Sequence, residues 1–89
     1  MITDLQYPLT VGIRYKDHNR LCHFRHPVAH IVTVPDFLED DVIKAMIKKY
    51  AKMDRDLTEN ECYHLLMWSV AYINRKIEDP NYEVTIKNN

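Results

Sequence analysis

With 89 residues the chain has room for one hydrophobic core, and its formal charge of −1 argues against a surface that everywhere seeks nucleic acid or anionic lipid. No apolar window is long enough to span a bilayer, and the N-terminus lacks a basic region followed by an apolar run, so a cytoplasmic protein is expected. Two cysteines, Cys22 and Cys62, are too few for a disulfide framework and read as reduced, small buried hydrophobes.

A single compact domain over residues 1–89 is expected, because no Gly/Ser-rich linker, repeat or low-complexity stretch divides the chain. Its radius of gyration should be roughly 12 Å. A chain this short buries little more than about 60% of its unfolded surface, so its stability margin is small and a homodimer is expected. Charge is uneven along the sequence. Residues 1–35 carry four Lys/Arg against two acids, and residues 36–61 carry five against eight.

From Tyr7 the pattern alternates. Tyr7, Leu9, Val11, Ile13 and Tyr15 point one way and Thr10, Gly12, Arg14 and Lys16 the other, the period of a half-buried strand. Asp17-His18-Asn19-Arg20 reads as a turn, and a second strand begins at Leu21. A four-residue loop would set Tyr15 opposite Cys22, Ile13 opposite Phe24 and Arg14 opposite His23. The apolar faces then coincide, and Arg14, Lys16, Arg20, His23 and Arg25 gather on a basic outer face. Pro27 interrupts the second strand, since it has no amide for a ladder. Residues 28–34, apolar on both faces and β-branched, predict a third strand or a kinked continuation.

Asp36-x-x-Glu39 offers a capping box for an amphipathic helix that runs to about Lys52. Its predicted apolar line is Leu38, Val42, Met46, Tyr50 and Met53, flanked by Ile43 and Ile47, with Lys44, Lys48 and Lys52 on the wet side. Asp40 and Asp41 add charge where the helix dipole favours it. A more specific start follows: in Leu57-Thr58-x-x-Glu61-Cys62 the Thr58 hydroxyl and the Glu61 carboxylate can each accept from the other's amide. The helix beyond it, predicted to reach Glu78 before Asp79-Pro80, is apolar over more than one stripe and must be covered on more than one side. Tyr82, Val84 and Ile86 alternate with polar residues and predict a last strand. The expected architecture is α+β in the order β-β-β-α-α-β, a small antiparallel sheet covered on one face by two helices.

Chemistry is sparse. Cys22, His23, His26 and His30, with Cys62 and His64, are zinc-ligand types at four-residue steps, yet on a strand such steps are about 13 Å apart, too far for one tetrahedral ion. Neither a metal nor any other cofactor is expected. Arg25-x4-His30 resembles the Arg-x4-6-His signature of the HEPN ribonucleases; that signature sits in a helical bundle, whereas here the spacing crosses Pro27 among β-branched residues, and the family is not carried over. Ser69 is the only serine and lies within a helix, and the single Gly12 cannot form a phosphate-cradling loop.

Binding remains, and the candidate surface is Arg14, Lys16, Arg20, His23 and Arg25. A non-catalytic binding protein that regulates or inhibits a larger cytosolic macromolecule through protein contact is expected. Its composition, with little Gly and many Lys, Ile, Asn and Tyr, resembles small accessory proteins of bacteriophages and mobile elements, which implies a host-takeover or anti-defence role. One alternative is RNA binding by the basic hairpin, against which stands the lack of exposed stacking aromatics. Another is a metal-free ribonuclease using His23 or His26. A dimer would form through strand edges or through the side of the second helix around Trp68 and Tyr72.

Overall fold

The computed structural model describes residues 5–27 and 35–89. Strands β1 (Leu9–Tyr15) and β2 (His18–Phe24) are followed by helices α1 (Asp40–Ala51) and α2 (Glu59–Asn74) and strand β3 (Tyr82–Asn88). The strands form an antiparallel sheet in the order β2-β1-β3, so the α+β architecture predicted from the pattern is present. The third strand predicted over residues 28–34 lies outside the described residues. The radius of gyration is 12.1 Å.

Alternation decides which side of the sheet is covered. Leu9, Val11, Ile13, Cys22 and Phe24 are buried beneath the helices, joined by Ile43 and Ile47 from α1 and Leu65 and Leu66 from α2. Full burial of each such side chain is worth about 1.5–3 kcal/mol relative to exposure. At one end of this core Tyr15, Tyr72 and Tyr82 cluster, with ring centroids 4.9 Å (Tyr15–Tyr82) and 6.3 Å (Tyr72–Tyr82) apart. Burial raises the Tyr72 and Tyr82 phenols above their ordinary range. Lys44 Nζ reaches Asp79 Oδ2 at 3.3 Å across the same end.

The start of α2 follows the sequence to the residue. Thr58 Oγ1 accepts from the Glu61 amide at 3.2 Å and Glu61 Oε1 accepts from the Thr58 amide at 2.9 Å. Arg55 closes on the same carboxylate with contacts of 2.6 and 2.8 Å. The Arg55 guanidinium and the Thr58 amide together hold the Glu61 carboxyl down at about 2.

Four expectations are corrected. The Asp36–Glu39 capping box does not form: α1 starts at Asp40 with Glu39 as N-cap and no side-chain cap. The preceding loop is instead held by Arg75, whose guanidinium donates to the Leu38 carbonyl, to the carbonyls of Asp36 (3.1 Å) and Pro35 (3.3 Å), and to Asp40 Oδ1 (3.4 Å). The buried row of α1 is Ile43, Ile47, Tyr50 and Ala51, while Val42 is exposed; of two adjacent apolar rows, packing against the sheet selects the one centred on the isoleucines. Helix α2 ends at Asn74, before Pro80 has any influence. Lys76 takes φ 54°, and the Lys76 and Ile77 amides return to the carbonyls of Ile73 and Tyr72, a Schellman closure with lysine in the usual glycine place. Finally, Trp68 and Tyr72 are buried, so that side of α2 belongs to the core and offers no dimer surface.

Candidate binding surface

The hairpin that carries the candidate residues turns tighter than the sequence suggests. Tyr15 pairs with His18, leaving Lys16-Asp17 as a two-residue loop with Lys16 at φ 53°. Cys22 therefore sits opposite Val11 instead of Tyr15, a shift of four residues. Because the shift is even, every side chain of the two predicted strands keeps its face, and both registers bring apolar residues together.

Its effect on the outer face is large. Arg14 is opposite Asn19 instead of His23, His23 is opposite Thr10, and Leu21 is opposite Gly12. The basic groups are thereby separated into two ends. Arg14 and Lys16 stand at the turn, His23 and Arg25 about 13 Å along the strand, and Leu21 lies between them. Leu21 is 64% exposed, and the absence of a Cβ on Gly12 lets it close over β1: a Cβ there would lie 3.2 Å from Leu21 Cδ2 and 2.9 Å from Thr85 Oγ1. The outer face is apolar in the middle and charged at both ends, not a compact basic patch.

Arg14, Lys16 and His23 are each positioned by a neighbour. Arg14 donates to Glu83 Oε2 and to the Lys16 carbonyl, both at 3.2 Å, so part of its charge is balanced within the sheet. Lys16 Nζ lies 5.4 Å from the Tyr15 ring centroid. His23 Nδ1 is 2.9 Å from Thr10 Oγ1, which also accepts from Asn89 Nδ2 at 2.8 Å. The Thr10 hydroxyl donates to Asn89 Oδ1 at 3.0 Å, so Thr10, His23 and Asn89 form one connected polar group on this face. Arg25 is exposed just beyond β2.

Arg20 does not belong to this surface. As the partner of Ile13 it turns to the helix side, where its guanidinium donates to the Met53 carbonyl in the α1–α2 loop and its Nε is buried without a partner among the described residues. Its role there is structural.

The metal-ligand types are dispersed. Cys22 faces inward and His23 outward, as strand parity requires, and His64 Nδ1 lies 3.2 Å from the Tyr50 hydroxyl. Among the described residues no three or more His, Cys, Asp or Glu converge. His30 and the Arg25-x4-His30 spacing lie in part outside the described residues. What the structure brings together instead is Cys22 and Cys62, with Sγ atoms 3.1 Å apart between β2 and α2. Burial, reinforced by the neighbouring Cys62, pushes the Cys22 thiol up to about 12. The sequence placed each on a core face; only the observed packing places them against each other.

Cys62 also lines a cleft of about 460 Å³ between the end of β2 and the start of α2, with His23, Arg25, His26 and Glu59 on its rim. Tyr63 donates to Glu59 Oε1 at 2.9 Å and stacks on Phe24 at 6.1 Å, which fixes one wall; the carboxylate raises the Tyr63 phenol. Among the described residues no helix is long and apolar enough to cross a membrane. In comparisons with known proteins, no family model, curated protein or solved structure matches this chain.

Proposed function

We propose that this chain is a small binding protein that regulates or inhibits a larger macromolecule by protein contact through the uncovered face of its sheet. The observation that carries the reading is the arrangement on that face: exposed Leu21 in the middle, Arg14 and Lys16 at one end, His23 and Arg25 at the other. An apolar centre with a charged rim is the usual build of a protein-binding patch. Self-paired polar groups such as Arg14–Glu83 and Thr10–His23 also support binding, since they hold the rim in a fixed geometry. Among the described residues β2 and β3 are the outer strands of the sheet, and each offers an edge beside which a partner or a second copy can add a strand. A phage or mobile-element accessory that blocks a host enzyme would be one form of such a protein.

The test is affinity capture of the tagged chain from a lysate of its own cells, with half of the sample treated with nuclease. A stoichiometric protein partner is expected in both halves and lost with Leu21→Asp and Arg25→Glu, while the melting temperatures of the variants stay close to that of the parent chain. A partner retained by both variants would overturn the choice of face. Recovery of RNA, or loss of every partner on nuclease treatment, would replace protein binding with RNA binding.

A further inference from the structure

We propose that Cys22 and Cys62 form a reversible redox site, which a low-molecular-weight disulfide of the glutathione class converts from a dithiol to an intramolecular disulfide between β2 and α2. The placement is already close to that product. The Sγ atoms are 3.1 Å apart, about 1 Å beyond bonding distance, although the residues are separated by 40 positions in sequence. The elements that carry them are each held from elsewhere. Cys22 sits in the ladder opposite Val11, and Cys62 follows the Thr58–Glu61 capping box by one residue. Both side chains face into the core cluster, so closure asks for rotation of two side chains and no change of fold.

The two thiols differ in access. Cys22 is buried, whereas Cys62 is part-exposed and opens on the cleft beside His23, Arg25 and His26. Arg25 supplies the cation there and His26 an imidazole beside it, groups suited to attract an anionic peptide disulfide; Glu59, on the same rim, is already engaged by Tyr63. Cys62 is therefore the attacking thiol and Cys22 the resolving one, an order that also suits a buried Cys22 thiol held in its protonated form.

The chemistry balances. The Cys62 thiolate attacks one sulfur of the small disulfide, giving a mixed disulfide and releasing one thiolate. The Cys22 sulfur then attacks Cys62 Sγ, its proton passing to the second departing thiolate as the protein S–S bond forms. Two protein thiols lose two electrons and two protons, and one small disulfide gains them. Excess small thiol reverses both steps.

The site is tested on the full chain, incubated with oxidised glutathione and examined by intact mass, thiol titration and thermal melting. The expected product is monomeric, lighter by two hydrogens, free of titratable thiols, and raised in Tm by more than about 10 °C, as closing a loop of this length should do in a domain of this size. Dithiothreitol should return it to the starting mass and Tm. Cys22→Ser and Cys22→Ala should stop at a stable glutathione adduct on Cys62, and Cys62→Ser should show neither adduct nor shift. Failure of the parent chain to lose two hydrogens, accumulation of its Cys62 adduct without resolution, or formation of disulfide-linked dimers alone would each overturn the proposal. The parent-chain mass decides it even if a Cys22 variant does not fold.

Discussion

On the inner face of the sheet Leu9, Val11, Ile13, Cys22 and Phe24 are sealed beneath two helices, while on the outer face of the same strands Leu21 is 64% exposed and Arg14 pairs with Glu83 in the open. The inner face is held by burial, which counts area and tolerates several pairings. The outer face depends on which residue stands beside which. A hairpin shifted by four residues leaves the first almost unchanged and redraws the second. Stability and the pattern of the exposed face therefore read different properties of the same three strands.

The sharpest way to break this contrast is to remove packing from the inner face. Leu9→Ala, at a fully buried position, should cost about 2–5 kcal/mol in urea unfolding, against a change within about 0.5 kcal/mol for Leu21→Ala on the outer face. Similar losses at both positions would mean that the outer face is covered in solution.

A charged residue tests the same division next. Arg20→Ala, which removes the donor to the Met53 carbonyl and the side chain packed beneath the sheet, should cost about 1–3 kcal/mol. Arg14→Ala, in an exposed pair with Glu83, should cost less than about 1 kcal/mol in the same unfolding series. An inversion of that order would return Arg20 to the outer face.

Gly12 joins the two faces, because it stands in the central strand with its missing side chain toward Leu21 and Thr85. Gly12→Ala should destabilise by about 1 kcal/mol, since the Thr85 hydroxyl would lie 2.9 Å from the new Cβ. In a Thr85→Ala background the same change should become neutral or stabilising, because alanine loses less backbone entropy than glycine in a strand. A double-mutant cycle reads the difference.

The smallest effect concerns acid. Glu61 is held at about 2 from an ordinary 4.5, so its contribution is present above about pH 4.5 and is lost as pH falls toward 2. Arg55 is exposed in this contact, and solvent screening keeps the contribution modest. Melting temperatures measured across that window should fall more steeply for the parent chain than for Glu61→Gln.

What was legible in the sequence was local. The Thr58–Glu61 capping box is made within four residues and forms as written. The strand faces follow from alternation alone. The hairpin register was not legible, because an even shift satisfies the same alternation and because Lys16, not Asn19, supplies the positive φ of the turn. The end of α2 was hidden for the same reason, Lys76 adopting a conformation that glycine would have advertised. Of the candidate binding residues, Arg14, Lys16, His23 and Arg25 remain around the outer face while Arg20 leaves it, a consequence of register and of a carbonyl in a distant loop. The cysteine pair needed both strand pairing and helix placement before it could be seen.

Strand β1 lies in the middle of the sheet yet precedes both helices in the chain, and its second neighbour, β3, follows both. During synthesis the β1–β2 hairpin can form as soon as residue 24 is clear of the ribosome, but the side of β1 that pairs with β3 waits for residues 82–88. A nascent chain therefore carries an open ladder while both helices are being made. The Lys87 and Glu83 charges on β3 come too late to guard it, so truncation before residue 82 should yield a product that self-associates through β1.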